Sequence, residues 1–133
     1  MLRENLHLFL QDLHNDERIL FRKYERTYYK IISTNKAICF NENCIREKLC
    51  PKNLYRGGLT WHKRQTVEDL LRRRNVDNLR RIEDLKKERL RLYNEIKARL
   101  NEERLNEMDQ IVTSLMENHS RIVDARLTKK LIT

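Results

Sequence analysis

The chain has 133 residues, a length suited to one domain or less, with 37% charged and 39% hydrophobic residues and a net charge of +9. Only Gly57, Gly58 and Pro51 serve as turn formers, and they sit close together. So few turn residues exclude a hairpin-rich or tightly wound α/β fold and predict an all-α protein.

The charge is unevenly spread. Residues 61–99 carry 13 Lys and Arg against 7 Asp and Glu, while residues 100–133 carry 5 against 6. A basic stretch of this kind favours polyanionic partners such as nucleic acid, and less so an anionic membrane or an acidic protein surface. No 18-residue apolar run exists, so no membrane span is expected. The N-terminal segment is too charged for a secretion signal. Cys39, Cys44 and Cys50 are odd in number, which fits a reducing compartment. An intracellular protein, nuclear or cytoplasmic, is expected.

In chain order, residues 1–36 read as an N-terminal helix or helix pair. Leu2, Leu6, Phe9, Leu10, Leu13, Leu20, Tyr24 and Tyr28 recur at near-helical spacing, and Asp16 is a candidate N-cap for a second segment beginning at Glu17. Residues 37–60 form a different zone: a short helix from Asn41 to Leu49, a stop at Pro51, and a joint at Gly57-Gly58. Residues 61–133 contain neither Gly nor Pro and read as one long helix, basic at first and mixed later. Thr60 or Thr66 is expected to cap it, and Thr66 has Asp69 three residues on. Counted from Leu59, such a rod measures roughly 110 Å at 1.5 Å per residue. It has no way to bury its own stripe, so it requires the N-terminal helix, a second copy or a helical partner.

The stripe shows an eleven-residue spacing at Leu71, Ile82 and Tyr93, which suits a nearly straight helix. Later, Leu105, Met108, Val112, Leu115, His119 and Ile122 alternate by three and four, as in a coiled coil. The mixture fits long helices in a hairpin or bundle as well as a coiled coil. Asn118-His119-Ser120 is the weakest helical point and a candidate bend.

The candidate binding residues are Lys63, Arg64, Arg72, Arg73, Arg74, Arg80, Arg81 and Lys87. On a helix, Arg73, Arg80 and Lys87 share one side, and such a row matches successive phosphates. Surface charge neutralised by Asp77, Glu83 and Asp84 is the competing reading. Trp61 is the best candidate for stacking on a base, with Tyr55 nearby, although aromatics at helical spacing more often belong to a core. Cys39, Cys44, Cys50 and His62 lack the tight ligand pairs of a zinc site, and no metal or other cofactor is expected. No nucleophile with an orienting base, no phosphate loop and no metalloprotease signature occurs, so no enzymatic activity is expected.

The run from Phe40 to Leu54 can be written F-x3-C-x4-L-x-P-K-x-L, with Phe40, Cys44, Leu49, Pro51, Lys52 and Leu54 as its fixed positions. It resembles a segment upstream of the catalytic core in Penelope-like retroelement reverse transcriptases. Asn53 stands where that pattern has glycine. The resemblance implies a helical accessory module that engages nucleic acid; the family's catalytic domains have no counterpart in the sequence. Locally, the same residues read as a corner that clamps two long helices. The expected function is therefore a non-enzymatic, DNA- or RNA-binding helical module, dimeric or paired with a helical partner. The alternative is a structural coiled-coil scaffold on acidic protein surfaces, cytoskeletal or axonemal.

Overall fold

A computed structural model describes residues 2–51 and 61–131, with the side chains of residues 2 and 61–63 left out of account. The fold is all-α. Among the described residues four helices follow one another: α1 (Leu2–Gln11), α2 (Asn15–Arg46), α3 (Trp61–Lys97) and α4 (Glu102–Thr128). The predicted Gly57-Gly58 joint, the Thr60 cap and the packing of Leu54 lie outside the described residues.

α2 is the central element. α3 packs antiparallel along it, as the pairs Tyr24–Tyr93 and Asn41–Asn75 show. α4 runs parallel to α2 on another flank, with Ser33 and Tyr29 against His119 and Lys36 against Asp124. α1 folds onto the start of α4. The far end of α4 returns to the end of α2, where Pro51 and Leu131 form an isolated antiparallel bridge.

The α2–α3 seam follows a regular spacing. On α2 the buried or half-buried positions Leu20, Tyr24, Thr27, Ile31, Thr34, Ile38, Asn41 and Ile45 alternate by four and three. On α3 Glu68, Leu71, Asn75, Asn78, Ile82, Leu85, Arg89, Leu92 and Ile96 do the same. The eleven-residue pattern is thus replaced by a seven-residue one, in which polar residues occupy several inward positions. Among the described residues no buried side-chain nitrogen or oxygen lacks a hydrogen-bond partner; the Thr27 and Thr34 hydroxyls, for example, donate to the carbonyls of Lys23 and Lys30 at 2.8 and 2.7 Å.

Two apolar clusters hold the ends. The larger joins Phe9, Leu13, Phe21, Leu92, Ile96, Met108, Val112 and neighbours from all four helices. The smaller joins Cys44, Cys50, Val67 and Leu71 beneath the end of α2. Each large side chain buried in them contributes about 1.5–3 kcal/mol.

Three sequence-based expectations need correction. The single helix over residues 61–133 is two helices. α3 ends at Lys97, and Asn101 restarts the chain as an N-cap, its side-chain oxygen accepting the Arg104 N–H at 2.8 Å. Glu102 and Glu103 follow in the first turn, where the helix dipole favours carboxylates. The molecule is therefore folded back on itself, and the expected rod does not form. Second, no bend occurs at Asn118-His119-Ser120, which lie inside α4. The inward position at the end of that stripe is Val123, 8% exposed, and Ile122 is 41% exposed. Third, no separate short helix begins at Asn41. α2 runs unbroken from Asn15 through Arg46, and Asn41 lies inside it with its side chain donating to Asn75 of α3. His14 is its N-cap, in place of Asp16.

Candidate nucleic-acid interface

The candidate binding residues on α3 with described side chains divide into two groups by their surroundings. Arg64 belongs to the scaffold. Its side chain is 15% exposed, and its guanidinium donates to the carbonyls of Cys44 and Leu49 and to the Glu68 carboxylate. These carbonyls lie at the C-terminal end of α2, where backbone acceptors lack helical partners and the dipole is negative. Arg64 therefore caps α2, whereas the sequence placed it among the candidate phosphate-binding residues. Lys48 reaches the same Glu68 at 2.9 Å, and these two hydrogen bonds hold the Glu68 carboxyl below its ordinary value of 4.5.

Arginine caps recur in this glycine-poor chain. Arg18 donates to the carbonyls of Leu10 and Gln11 at the end of α1. Arg104 donates to the Phe9 carbonyl, and its guanidinium lies 5.0 Å from the Phe9 ring centroid.

The second group faces solvent. Arg72, Arg73, Arg74, Arg80, Arg81 and Lys87 are all exposed. Arg72 is engaged with Glu68 and Asp69 at 3.9 and 3.7 Å. Arg73, Arg80 and Lys87 lie seven residues apart on the side of α3 opposite its buried seam, and none has a carboxylate within 4.0 Å among the described residues. Arg74 and Arg81 occupy the flank nearer α2 and are likewise unpaired among the described residues. Asp77 and Asp84 stand between the two rows and reduce their net charge. Trp61 is the first residue of α3, and its side chain and that of Lys63 lie outside the described set.

Sequence reasoning missed two features of this region. Lys23, Arg26 and Lys30 are exposed on one side of α2, and Lys23 is close enough to Glu88 of α3 to influence its charge. A spacing of three and four among basic residues is the signal that marks them. The second feature is a concavity between α2 and α3 lined by Tyr24, Tyr28, Lys86, Arg89, Leu90 and Tyr93. The Arg89 guanidinium lies 4.7 Å from the Tyr28 ring centroid. Burial pushes the Tyr24 phenol up to about 12, and Tyr28 adds to the shift. Burial also raises Tyr93, whose hydroxyl donates to Asp109 at 3.3 Å. These phenols are neutral near pH 7.

Among the described residues no cluster of three His, Cys, Asp or Glu is arranged to hold a metal ion, and no helix is long and apolar enough to cross a membrane. Burial raises the Cys44 thiol, which keeps it protonated and unreactive. No family model, curated protein or solved structure matches this chain.

Proposed function

We propose that this chain is a nucleic-acid-binding helical module that contacts phosphates through the outer face of α3. The observation that carries the reading is a contrast among its cations. Arg22, Lys36, Arg46, Lys48, Arg64, Arg91 and Arg104 are tied to carboxylates within the fold. Arg73, Arg80 and Lys87 form an aligned, exposed row with no such tie among the described residues. An arginine row of this kind offers planar donor forks to phosphate oxygens and releases counterions on binding. Arg74 and Arg81 extend the positive field towards α2.

Fluorescence anisotropy against labelled RNA and DNA, single-stranded and duplex, across a salt series tests the reading. Affinity is expected to fall steeply with salt. The triple variant R73E/R80E/K87E is expected to reduce the logarithmic salt slope by about 2 to 3, since each phosphate contact contributes about 0.7–0.9. Absence of salt-sensitive binding to every probe rejects the proposal.

A second reading draws on Val76, Leu79 and Leu90, exposed by 51%, 56% and 61% beside the same row. Apolar residues next to cations also suit a scaffold that docks on an acidic protein surface or pairs with another helix. Under that reading the chain binds no nucleic acid, and light scattering reports a dimer.

A further inference from the structure

We infer that the concavity beside Arg89 takes unpaired nucleobases, so that the α3 surface prefers single-stranded nucleic acid over duplex. This rests on the phosphate-binding reading of α3 and names the form of its ligand. Three observations carry it.

The first is the state of Arg89. It occupies an inward position of the α2–α3 seam and is half-buried, yet it has no carboxylate within 4.0 Å among the described residues. Its contact is the face of Tyr28. A cation on a half-buried residue is costly to hold without an anion, and Arg89 lines the open concavity, where a base can reach it. Bases stack on guanidinium planes as they do on aromatic rings.

The second is continuity with the outer row. Lys86 lines the concavity, and its sequence neighbour Lys87 belongs to the row of Arg73 and Arg80. Leu90 lies between them on the helix surface and is 61% exposed. A strand whose phosphates follow the row therefore passes within one side chain of the concavity. Its bases turn inward across Leu90, which offers an apolar surface to their rings.

The third is extension across the molecule. Tyr28 also lines a second concavity, between α2 and α4, with Ile32, Met116, Ser120 and Arg121. The two depressions share Tyr28 and give room for more than one base, with cations at both ends. Glu117 lines the second depression and opposes the attraction there, so the Arg89 side dominates. Duplex nucleic acid keeps its bases stacked within the helix and has nothing to place in either depression.

The test uses the full chain and a labelled unstructured 20-nucleotide RNA, alone and annealed to its complement, at one salt concentration. The wild-type chain is expected to bind the single strand at least 10-fold more tightly. Arg89→Lys keeps the charge and removes the planar fork. It is expected to weaken single-strand binding about 10-fold, the loss of one stacked base, and duplex binding less than 2-fold. Leu90→Ala, at an exposed position where folding is not at risk, is expected to act in the same direction. Equal affinity of the wild-type chain for single strand and duplex overturns the inference. So does a loss shared equally by both probes in these variants, or no loss in either. In each of those cases R73E/R80E/K87E still lowers binding if the phosphate row is correctly assigned. No binding by the wild-type chain to either probe rejects the row itself, and this inference with it.

Discussion

Asn41 and Asn75 meet across the α2–α3 seam, where the Nδ2 of Asn41 donates to the Oδ1 of Asn75 at 2.9 Å. The Nδ2 of Asn75 in turn donates to the Ile38 carbonyl at 3.3 Å. The two side chains are 8% and 9% exposed. Sliding α3 by one turn would set Leu71 or Asn78 against Asn41 and turn Asn75 towards apolar residues of α2, so the pair favours the observed register of the hairpin.

The single change Asn75→Leu therefore strands the Asn41 amide and is expected to lower stability by about 1–3 kcal/mol. Replacing both asparagines with Leu removes the unsatisfied group and restores most of that loss, while weakening the specification of register. Urea denaturation of both variants measures the first effect. Line dispersion in an amide NMR spectrum measures the second, and a double variant with stability and dispersion both unchanged would show that the pair has no role in register.

Arg64 supplies the second prediction. Arg64→Ala removes the donor to the Leu49 carbonyl and one of two donors each from the Cys44 carbonyl, which keeps the Leu49 N–H, and the Glu68 carboxylate, which keeps Lys48. Hydrogen bonds from a charged donor contribute about 1.5–3 kcal/mol, and a loss in that range is expected in urea denaturation. Affinity for nucleic acid, measured under conditions where the variant is fully folded, is expected to stay unchanged. A selective loss of binding with normal stability would return Arg64 to the interface.

How far the sequence discloses these features depends on which physical signal carries them. Helical character was legible from the scarcity of Gly and Pro, because no other regular structure tolerates so few turn residues. The break between α3 and α4 was not, because it uses no Gly or Pro. Its mark is the local run Asn101-Glu102-Glu103, an N-cap followed by acids, which is weak beside a continuous apolar stripe. The seven-residue seam was hidden for a related reason: Glu68, Asn75, Asn78 and Arg89 hold inward positions, so a search for apolar residues skips them and finds Leu71, Ile82 and Tyr93. In the candidate site, the row Arg73, Arg80, Lys87 was readable from spacing alone. The diversion of Arg64 was not, since it depends on carbonyls 15 and 20 residues earlier in the chain.

His119 carries a pH dependence. It shares a hydrogen bond with Ser33 at 2.9 Å, and burial holds its imidazole below the ordinary value of 6.5, with Arg126 adding to the effect. The unfolded chain thus takes up the proton more readily than the folded one, and stability rises with pH through this window. The contribution is complete above pH 6.5 and is lost as pH falls below it through the lower folded-state value. The urea midpoint is expected to drop between pH 7.5 and pH 5.5, and His119→Gln to flatten the drop. Glu68 acts at lower pH. Its depressed value gives stability that is complete above pH 4.5 and is lost as pH falls below it through the folded-state value. A midpoint that is flat from pH 7.5 to 5.5 in the unaltered chain would dismiss the His119 effect.

The end of α2 offers a gain in stability. Lys48 has φ 55, a left-handed conformation in which the next residue, Leu49, returns its N–H to the Cys44 carbonyl at 2.9 Å. Holding a residue with a Cβ there costs about 1–2 kcal/mol, which glycine avoids. Against this stands the Lys48–Glu68 ion pair, whose lysine is 70% exposed. An exposed pair of that kind is worth about 0–1 kcal/mol, and Arg64 remains on Glu68 after its loss. The backbone term is the larger of the two. Lys48→Gly is therefore expected to raise stability by up to about 1 kcal/mol, read as a higher urea midpoint with an unchanged slope. Lys48→Ala, which loses the ion pair without relieving the backbone, is expected to lower it. If both variants lose stability equally, the ion pair outweighs the backbone strain at this cap.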